Sequence, residues 1–364
     1  GFLGLSTALP TILLNLFGGA LADRLNKKLL ITLCQFLTLI GVGIFAVMYQ
    51  ADFMQYWHVY IFAALGGAIG AFELPARMSY YPLLITKEAM PSAVAMNSLT
   101  WQGTRVIAPA IAGVLIAVFG ATPTLFVCCV GFLLMIVFVN MTRVDIPSNN
   151  NGGNPLQDII NGLKFIYNNK LFLTLIGYSF FLGFFGWIYM IMMPYMAVQV
   201  LNVSSSGTGI MLTAAGCGAV IPTVMFARAG IKNRRMGICI GSFMAGFAII
   251  GFAFTSYQFQ SFSLAMVFVF IIGLSSSIYM LSAISSIQLN VPHEFRGRIM
   301  GIYTITYSIV SLGGLYSGLV GGYVDRLLDI EHIGVPISIG LGGVIVVIGS
   351  VFLYLYNKSL KTEA

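Results

Sequence analysis

The chain alternates long apolar runs with short polar breaks. Runs carrying no charge, or a single one, cover 2–20, 29–50, 58–74, 93–118, 122–141, 171–193, 207–227, 236–256, 262–282, 298–321 and 334–356. About 17–25 apolar residues suffice to cross a bilayer core as a helix. The pattern therefore predicts an all-α polytopic membrane protein with eleven spans.

The polar breaks sort onto two faces. One face gathers all but two of the 18 Lys and Arg residues, among them Arg24, Lys27 and Lys28, Arg234 and Arg235, Arg296 and Arg298. The other face holds Arg326 beside Asp325, Asp329 and Glu331, and Arg105 lies inside a run. Cations concentrate in cytoplasmic loops. This puts residue 1 outside, the C-terminus inside, and the chain in a cytoplasmic (inner) membrane. An even number of spans would require one more before Gly1, so a first helix is expected to be missing from a chain that opens with Gly inside an apolar run.

Composition agrees, with 58% apolar and 8% charged residues against about 25% charged in soluble domains. The net charge of +7 is scattered through loop clusters. That is a topology signal rather than a phosphate-binding face, so membrane lipid is expected as surroundings and nucleic acid is not a partner. Cys34, Cys128, Cys129, Cys217 and Cys239 lie within apolar runs and read as small buried hydrophobes. His58, His293 and His332 fall at run ends. No metal spacing, nucleotide loop or nucleophile elbow occurs. Neither catalysis nor a cofactor or metal is expected.

The longest break, 142–170, begins with a flexible stretch through Pro155. Leu156, Ile159, Ile160, Leu163, Ile166 and Tyr167 then hold helical spacing on one face, which predicts a helix on the membrane surface or an extension of the next span. The chain also echoes itself. Lys27-Lys28-Leu29 returns as Arg234-Arg235-Met236, 207 positions on, and Thr86–Pro91 is answered by Pro292–Gly297, roughly 206 on. Two pseudo-symmetric halves are expected, 1–141 with five helices and 171–364 with six, joined by 142–170. Transporters often carry such repeats, with the substrate site between them near the midplane.

Three stretches carry a family resemblance. The first is Gly19-Ala20-Leu21-Ala22-Asp23-Arg24-Leu25-Asn26-Lys27-Lys28. The second runs from Pro75-Ala76-Arg77 through Pro82, Pro91 and Asn97 to Arg105 and Pro109. The third is Val291-Pro292-His293-Glu294-Phe295-Arg296-Gly297-Arg298. They resemble the major facilitator superfamily, and within it a bacterial drug and siderophore exporter branch that includes enterobactin exporter-like and macrolide efflux-like proteins. The resemblance spans essentially the whole chain. Two departures are visible: Asn26 stands where the family usually has Gly, and Ala108-Pro109-Ala110-Ile111-Ala112-Gly113 is an imperfect form of the Gly-Pro-x-x-Gly-Gly element of its antiporters.

The resemblance implies the two-half major facilitator fold and secondary transport by alternating access, with proton antiport of small amphipathic compounds such as drugs or siderophores. It implies a monomer. It also implies a latch in which Asp23 meets Arg77 and the start of the run at 298, with Gly19, Arg24, Lys27, Lys28, Glu294, Arg296, Gly297 and Arg298 around it. An importer or lipid-moving member of the same fold remains the alternative. Glu73 and Arg77 either pair at helical spacing or take part in gating. Polar and aromatic residues inside runs are cavity candidates or interhelical glue: Asn15, Gln35, Gln102, Arg105, Tyr178, Trp187, Tyr189, Tyr279, Gln288, Tyr303 and Tyr307. Arg105 is twelve residues into its run, ~18 Å deep at a 1.5 Å rise. A charge at that depth needs a reason: a structural hydrogen bond, or a positive charge facing the cavity beside Gln102 and Pro109. Small-residue stripes such as Gly314, Gly318 and Gly322 allow close packing or hinging.

Overall fold

The computed structural model describes residues 2–84, 100, 103–104, 107–108, 111–142, 155–229, 233–292 and 295–360, without the side chains of 16–17, 19–24, 79, 82, 155–159, 205, 227–229, 296–298, 301 and 356–360. The described chain is helical. The helices are α1 (Phe2–Arg24), α2 (Lys27–Gln50), α3 (Tyr56–Tyr80), α4 (111–119), α5 (Ala121–Met141), α6 (Pro155–Asn168), α7 (Lys170–Gly186), α8 (Ile188–Tyr195), α9 (Ser205–Ala229), α10 (Arg234–Gln258), α11 (Phe262–Asn290), α12 (Arg296–Leu328) and α13 (Gly334–Leu360).

Among the described residues, eight spans are long and apolar enough to cross a membrane. In α1 the continuous described apolar stretch is Phe2–Asn15. α12 reaches 33 residues but is diluted by Gly, Ser and Tyr. Half of the run expected at 93–118 lies outside the described residues. The run expected at 171–193 is longer and broken: α7 stops at Trp187, α8 restarts, and a π-turn over Met196–Val200 follows Pro194. A proline without an N–H, beside a π-turn, is a usual cause of such a bend.

Helix starts follow local chemistry. Asn26 caps α2, its side chain accepting from the N–H groups of Lys28 and Leu29 at 3.1 and 3.3 Å. Its departure from the family's Gly thus supplies a better N-cap. Asn169 caps α7 in the same way, accepting from Leu171 N–H at 3.1 Å, and so separates α6 from the span behind it. α6 is therefore a helix of its own rather than the start of α7. Ile160, Leu163 and Tyr167 are exposed on it, while Ile166 is buried and Phe165 stacks on Phe295 with ring centroids 4.5 Å apart. Gly120 makes the turn between α4 and α5 at φ +86°, where a side chain would be strained.

The helices pack as two groups. In the N-terminal one, α1 lies against α3 and α2 against α5. Gly18 and Gly67 let α1 and α3 touch through backbone, since a Cβ on Gly18 would strike the Ala71 carbonyl and one on Gly67 the Thr7 carbonyl. Thr11 Oγ1 fills the gap by donating to both Thr7 O at 2.7 Å and Gly67 O at 3.0 Å. In the C-terminal group α10 packs on α11 and α13, and α9 on α11, with Gly246 and Gly343 facing each other. Its two apolar cores centre on Met193, Met196 and Phe252, and on Phe172, Ile287 and Ile299. Without a hydrophobic drive between helices in lipid, such small-residue contacts are the means of association.

Candidate functional site

Polar side chains inside the N-terminal group converge on Glu73, two turns before the end of α3. Its Oε1 accepts from Gln35 Nε2 of α2 at 2.6 Å and from Arg77 Nη1 one turn on at 3.0 Å. Gln35 is 3% exposed, and its own Oε1 is buried without a partner. Arg77 is half exposed and Glu73 is 16% exposed. The pairing of Glu73 with Arg77 matches the spacing in the sequence. Gln35, a cavity candidate there, instead serves the carboxylate. An ionised oxygen taking two donors, one from a cation, is the stronger kind of hydrogen bonding. Glu73 stands at the end of the apolar run of α3, one turn before Arg77.

Lys27 and Lys28 start α2. Lys28 Nζ donates to the carbonyls of Asn140 and Thr142, both at 2.9 Å, so it closes the C-terminal end of α5. Tyr80 OH lies 2.5 Å from Thr142 Oγ1, and Asn140 Nδ2 donates to Thr32 Oγ1 at 3.2 Å. The cation-rich ends of α2, α3 and α5 are thereby tied together. Tyr80, Asn140 and Thr142 carry no sequence signal beyond the position of the last two at a helix end, where carbonyls lack intrahelical donors.

The two groups meet where α1 runs beside α12 and where α4 approaches α9. α1 lies along α12, where a Cβ on Gly4 would come 2.7 Å from the Ser311 carbonyl oxygen. Gly113 of α4 faces α9, with its Cβ position 3.5 Å from the Cα atoms of Gly209 and Ser206. Both contacts lie away from the cation-rich ends. Gly113, expected in an antiporter element, thus falls on the seam between the groups.

The tyrosines expected to line a cavity cluster in the C-terminal group. Tyr279 OH and Ser179 Oγ are 2.7 Å apart, the Tyr178 and Tyr279 rings meet edge to face at 6.0 Å, and Tyr279 and Tyr303 are buried. Tyr307, one turn from Tyr303, is exposed. Tyr178 and Tyr279 also form the inner end of a cleft of about 250 Å³ between α7, α10, α11 and α13. Asn15 and Trp187 are half-buried elsewhere, and Tyr189 is fully buried. Gln102, Arg105, Pro109 and Glu294 lie outside the described residues, as do Gly19, Asp23, Arg24, Arg296, Gly297 and Arg298 beyond their helical backbone. Among the described residues no group of His, Cys, Asp and Glu is placed to hold a metal.

The sequence profile of the Major Facilitator Superfamily matches residues 1–315. The chain belongs to the major facilitator superfamily. It is 24% identical to a staphyloferrin A transporter of Staphylococcus aureus, over 100% of this chain and 88% of the relative. It is 23% identical to an enterobactin exporter of Salmonella typhimurium, over 94% of this chain and 80% of that one. Among solved structures it resembles the POT family transporter PepTSo, with TM-score 0.73 at 12% identity over 99% of this chain and 89% of that one. It also resembles a bacterial homologue of the lysosomal transporter Spinster, solved inward-facing and unoccupied, with TM-score 0.68 at 16% identity over 97% and 87%. These likenesses establish the superfamily fold, and the family makes the chain a membrane transporter rather than an enzyme.

Proposed function

We propose that the protein exports small amphipathic compounds, siderophores foremost, across a bacterial cytoplasmic membrane in exchange for protons. In this reading 1–141 and 171–364 are two bodies that rock about a central site, and 142–170 is the cytoplasmic strap between them. The observation that carries it is the seam. Two glycine-lined contacts, Gly4 with Ser311 and Gly113 with Ser206 and Gly209, join the helix groups. A seam of small residues can part and reform without repacking large side chains, as alternating access requires. The relatives named for staphyloferrin A and enterobactin favour siderophores as cargo, and the exporter among them favours efflux. Glu73, which accepts from both Gln35 and Arg77, is the carboxylate that suits proton coupling. Asp23, Arg77 and the start of α12 form the cytoplasmic latch, and the substrate cavity draws on Arg105, Gln102 and Tyr307.

The test is a panel of enterobactin, staphyloferrin A and amphipathic drugs against an efflux-deficient bacterial host expressing the full-length protein. Export lowers intracellular accumulation and raises tolerance, and a proton uncoupler abolishes both. Raised accumulation instead marks an importer.

A further inference from the structure

α6 is apolar on two sides, and packing uses one of them. On the packed side Ile166 is buried, and Phe165 meets Phe295 and Phe172 with ring centroids 4.5 and 5.4 Å away. These contacts seat α6 on the start of α12 and on α7, and it also touches α1 of the other group. The second side carries Ile160, Leu163 and Tyr167, at the i, i+3, i+7 spacing of one helical stripe. They are 43%, 51% and 76% exposed.

A groove of about 470 Å³ runs between this stripe, α7 and α12. Leu163 and Tyr167 line it from α6, Leu173, Gly177 and Phe180 from α7, and Ile302 from α12. The three α7 residues share one helix face, and the groove follows them inward for ~10 Å at a helical rise. Gly177 leaves it open there: among the described residues no atom lies within 4 Å of where its Cβ would stand. Among the described residues the lining has one cation, Lys164, and one amide, Asn168. Both belong to α6, beside the start of α7 that Asn169 caps. Lys164 is exposed, and among the described residues its side chain makes no ion pair or hydrogen bond.

We infer that this groove holds one acyl chain of an anionic phospholipid from the leaflet at the cation-rich end, with its headgroup beside Lys164. The order of polarity matches that ligand. A cation and an amide stand at the interface, and apolar side chains follow inward along a span. Loop cations face the leaflet that carries anionic lipid. A surface helix with an exposed apolar stripe requires hydrocarbon beside it, and the open space at Gly177 fixes where a chain lies against α7. The site rests on the membrane setting of the family and not on the cargo or the direction of transport.

The experiment is native mass spectrometry of the purified full-length protein, titrated with phosphatidylglycerol and with phosphatidylcholine of the same chains, reading the affinity of the first lipid retained. One cation beside the headgroup should favour phosphatidylglycerol by about fivefold, and Lys164→Gln should erase that preference. Gly177→Leu fills the open space on α7 and should weaken retention of either lipid by about fivefold or more. Gly131→Leu is the control. It lies on α5 with equally open surroundings among the described residues and should retain both lipids as the unaltered protein does. Leu163→Ser, at an exposed residue of the α6 wall, should give the same loss if Gly177→Leu does not fold. Unchanged retention in whichever of these two groove variants folds overturns the inference, and so does a phosphatidylglycerol preference that survives Lys164→Gln. Equal weakening in Gly177→Leu and Gly131→Leu also overturns it, because that marks general contact with the bilayer rather than a site.

Discussion

Gln35 reaches from α2 to Glu73 on α3 and donates its amide at 2.6 Å, while its own carbonyl oxygen stays buried and unpartnered. Glu73 accepts from both Gln35 and Arg77, so it ties α2 to α3. Glu73→Gln keeps size and hydrogen bonding but fixes the neutral form. It is expected to fold normally and to lose proton-gradient-driven transport in proteoliposomes at least tenfold. Gln35→Leu removes a buried partner and should cost about 1–3 kcal/mol in unfolding stability. Wild-type gradient-driven rates in Glu73→Gln would assign the carboxylate a structural role only.

Lys28 yields a second expectation. If it served topology alone, Lys28→Gln would be silent, because the many remaining cations still set orientation. Its bonds to Asn140 O and Thr142 O predict otherwise. Removing a charged donor from two helix-end carbonyls should lower stability by about 1–2 kcal/mol with the orientation kept. Thermal unfolding in detergent and cysteine accessibility from the two sides of the membrane read the two effects separately, and unchanged stability would refute the capping role.

These two sites mark what the sequence could and could not disclose. The all-helical, many-span character is written in run length, because bilayer thickness acts on every span in the same way. The Glu73–Arg77 pair is local, four residues apart on one helix, and was legible. Gln35 was visible only as a polar residue in an apolar run; its partner is 38 positions away, and nothing in one helix's periodicity says which face meets which neighbour. Tyr178, Tyr279 and Tyr303 illustrate the same limit: their amphipathic character suits a cavity wall and an interhelical cluster equally, and only packing separates the two. The break at Trp187 was hidden because α7, α8 and the π-turn share one apolar run.

Arg105 is the charge that the apolar pattern makes most expensive, at least ~2.5–3.5 kcal/mol at mid-span on insertion scales. If it lines the transport path, Arg105→Ala should insert and fold yet lose transport at least tenfold. Arg105→Lys should restore only part, since the planar fork that grips a carboxylate in two places is gone. Uptake of labelled enterobactin into inverted vesicles, normalised to folded protein, measures this. Normal transport by Arg105→Ala would leave the residue a packing role.

The seam offers the most discriminating case, because its two glycines differ in clearance. A methyl group on Gly4 would lie 2.7 Å from the backbone carbonyl oxygen of Ser311, a contact that only a shift of α1 against α12 relieves. A methyl group on Gly113 would meet Ser206 and Gly209 at 3.5 Å, ordinary van der Waals distance. If these contacts hold the outer end closed, Gly4→Ala should bias the protein toward the outward-open state, while Gly113→Ala should be nearly neutral. A cysteine placed at Ser206, at the start of α9, reports the opening. Its labelling rate by a membrane-impermeant thiol reagent added outside should rise several-fold in Gly4→Ala and stay within about twofold in Gly113→Ala, since a shift of 1.4 kcal/mol moves a two-state equilibrium tenfold. Equal labelling in both variants would mean that the α1–α12 contact is a fixed joint and that opening occurs elsewhere.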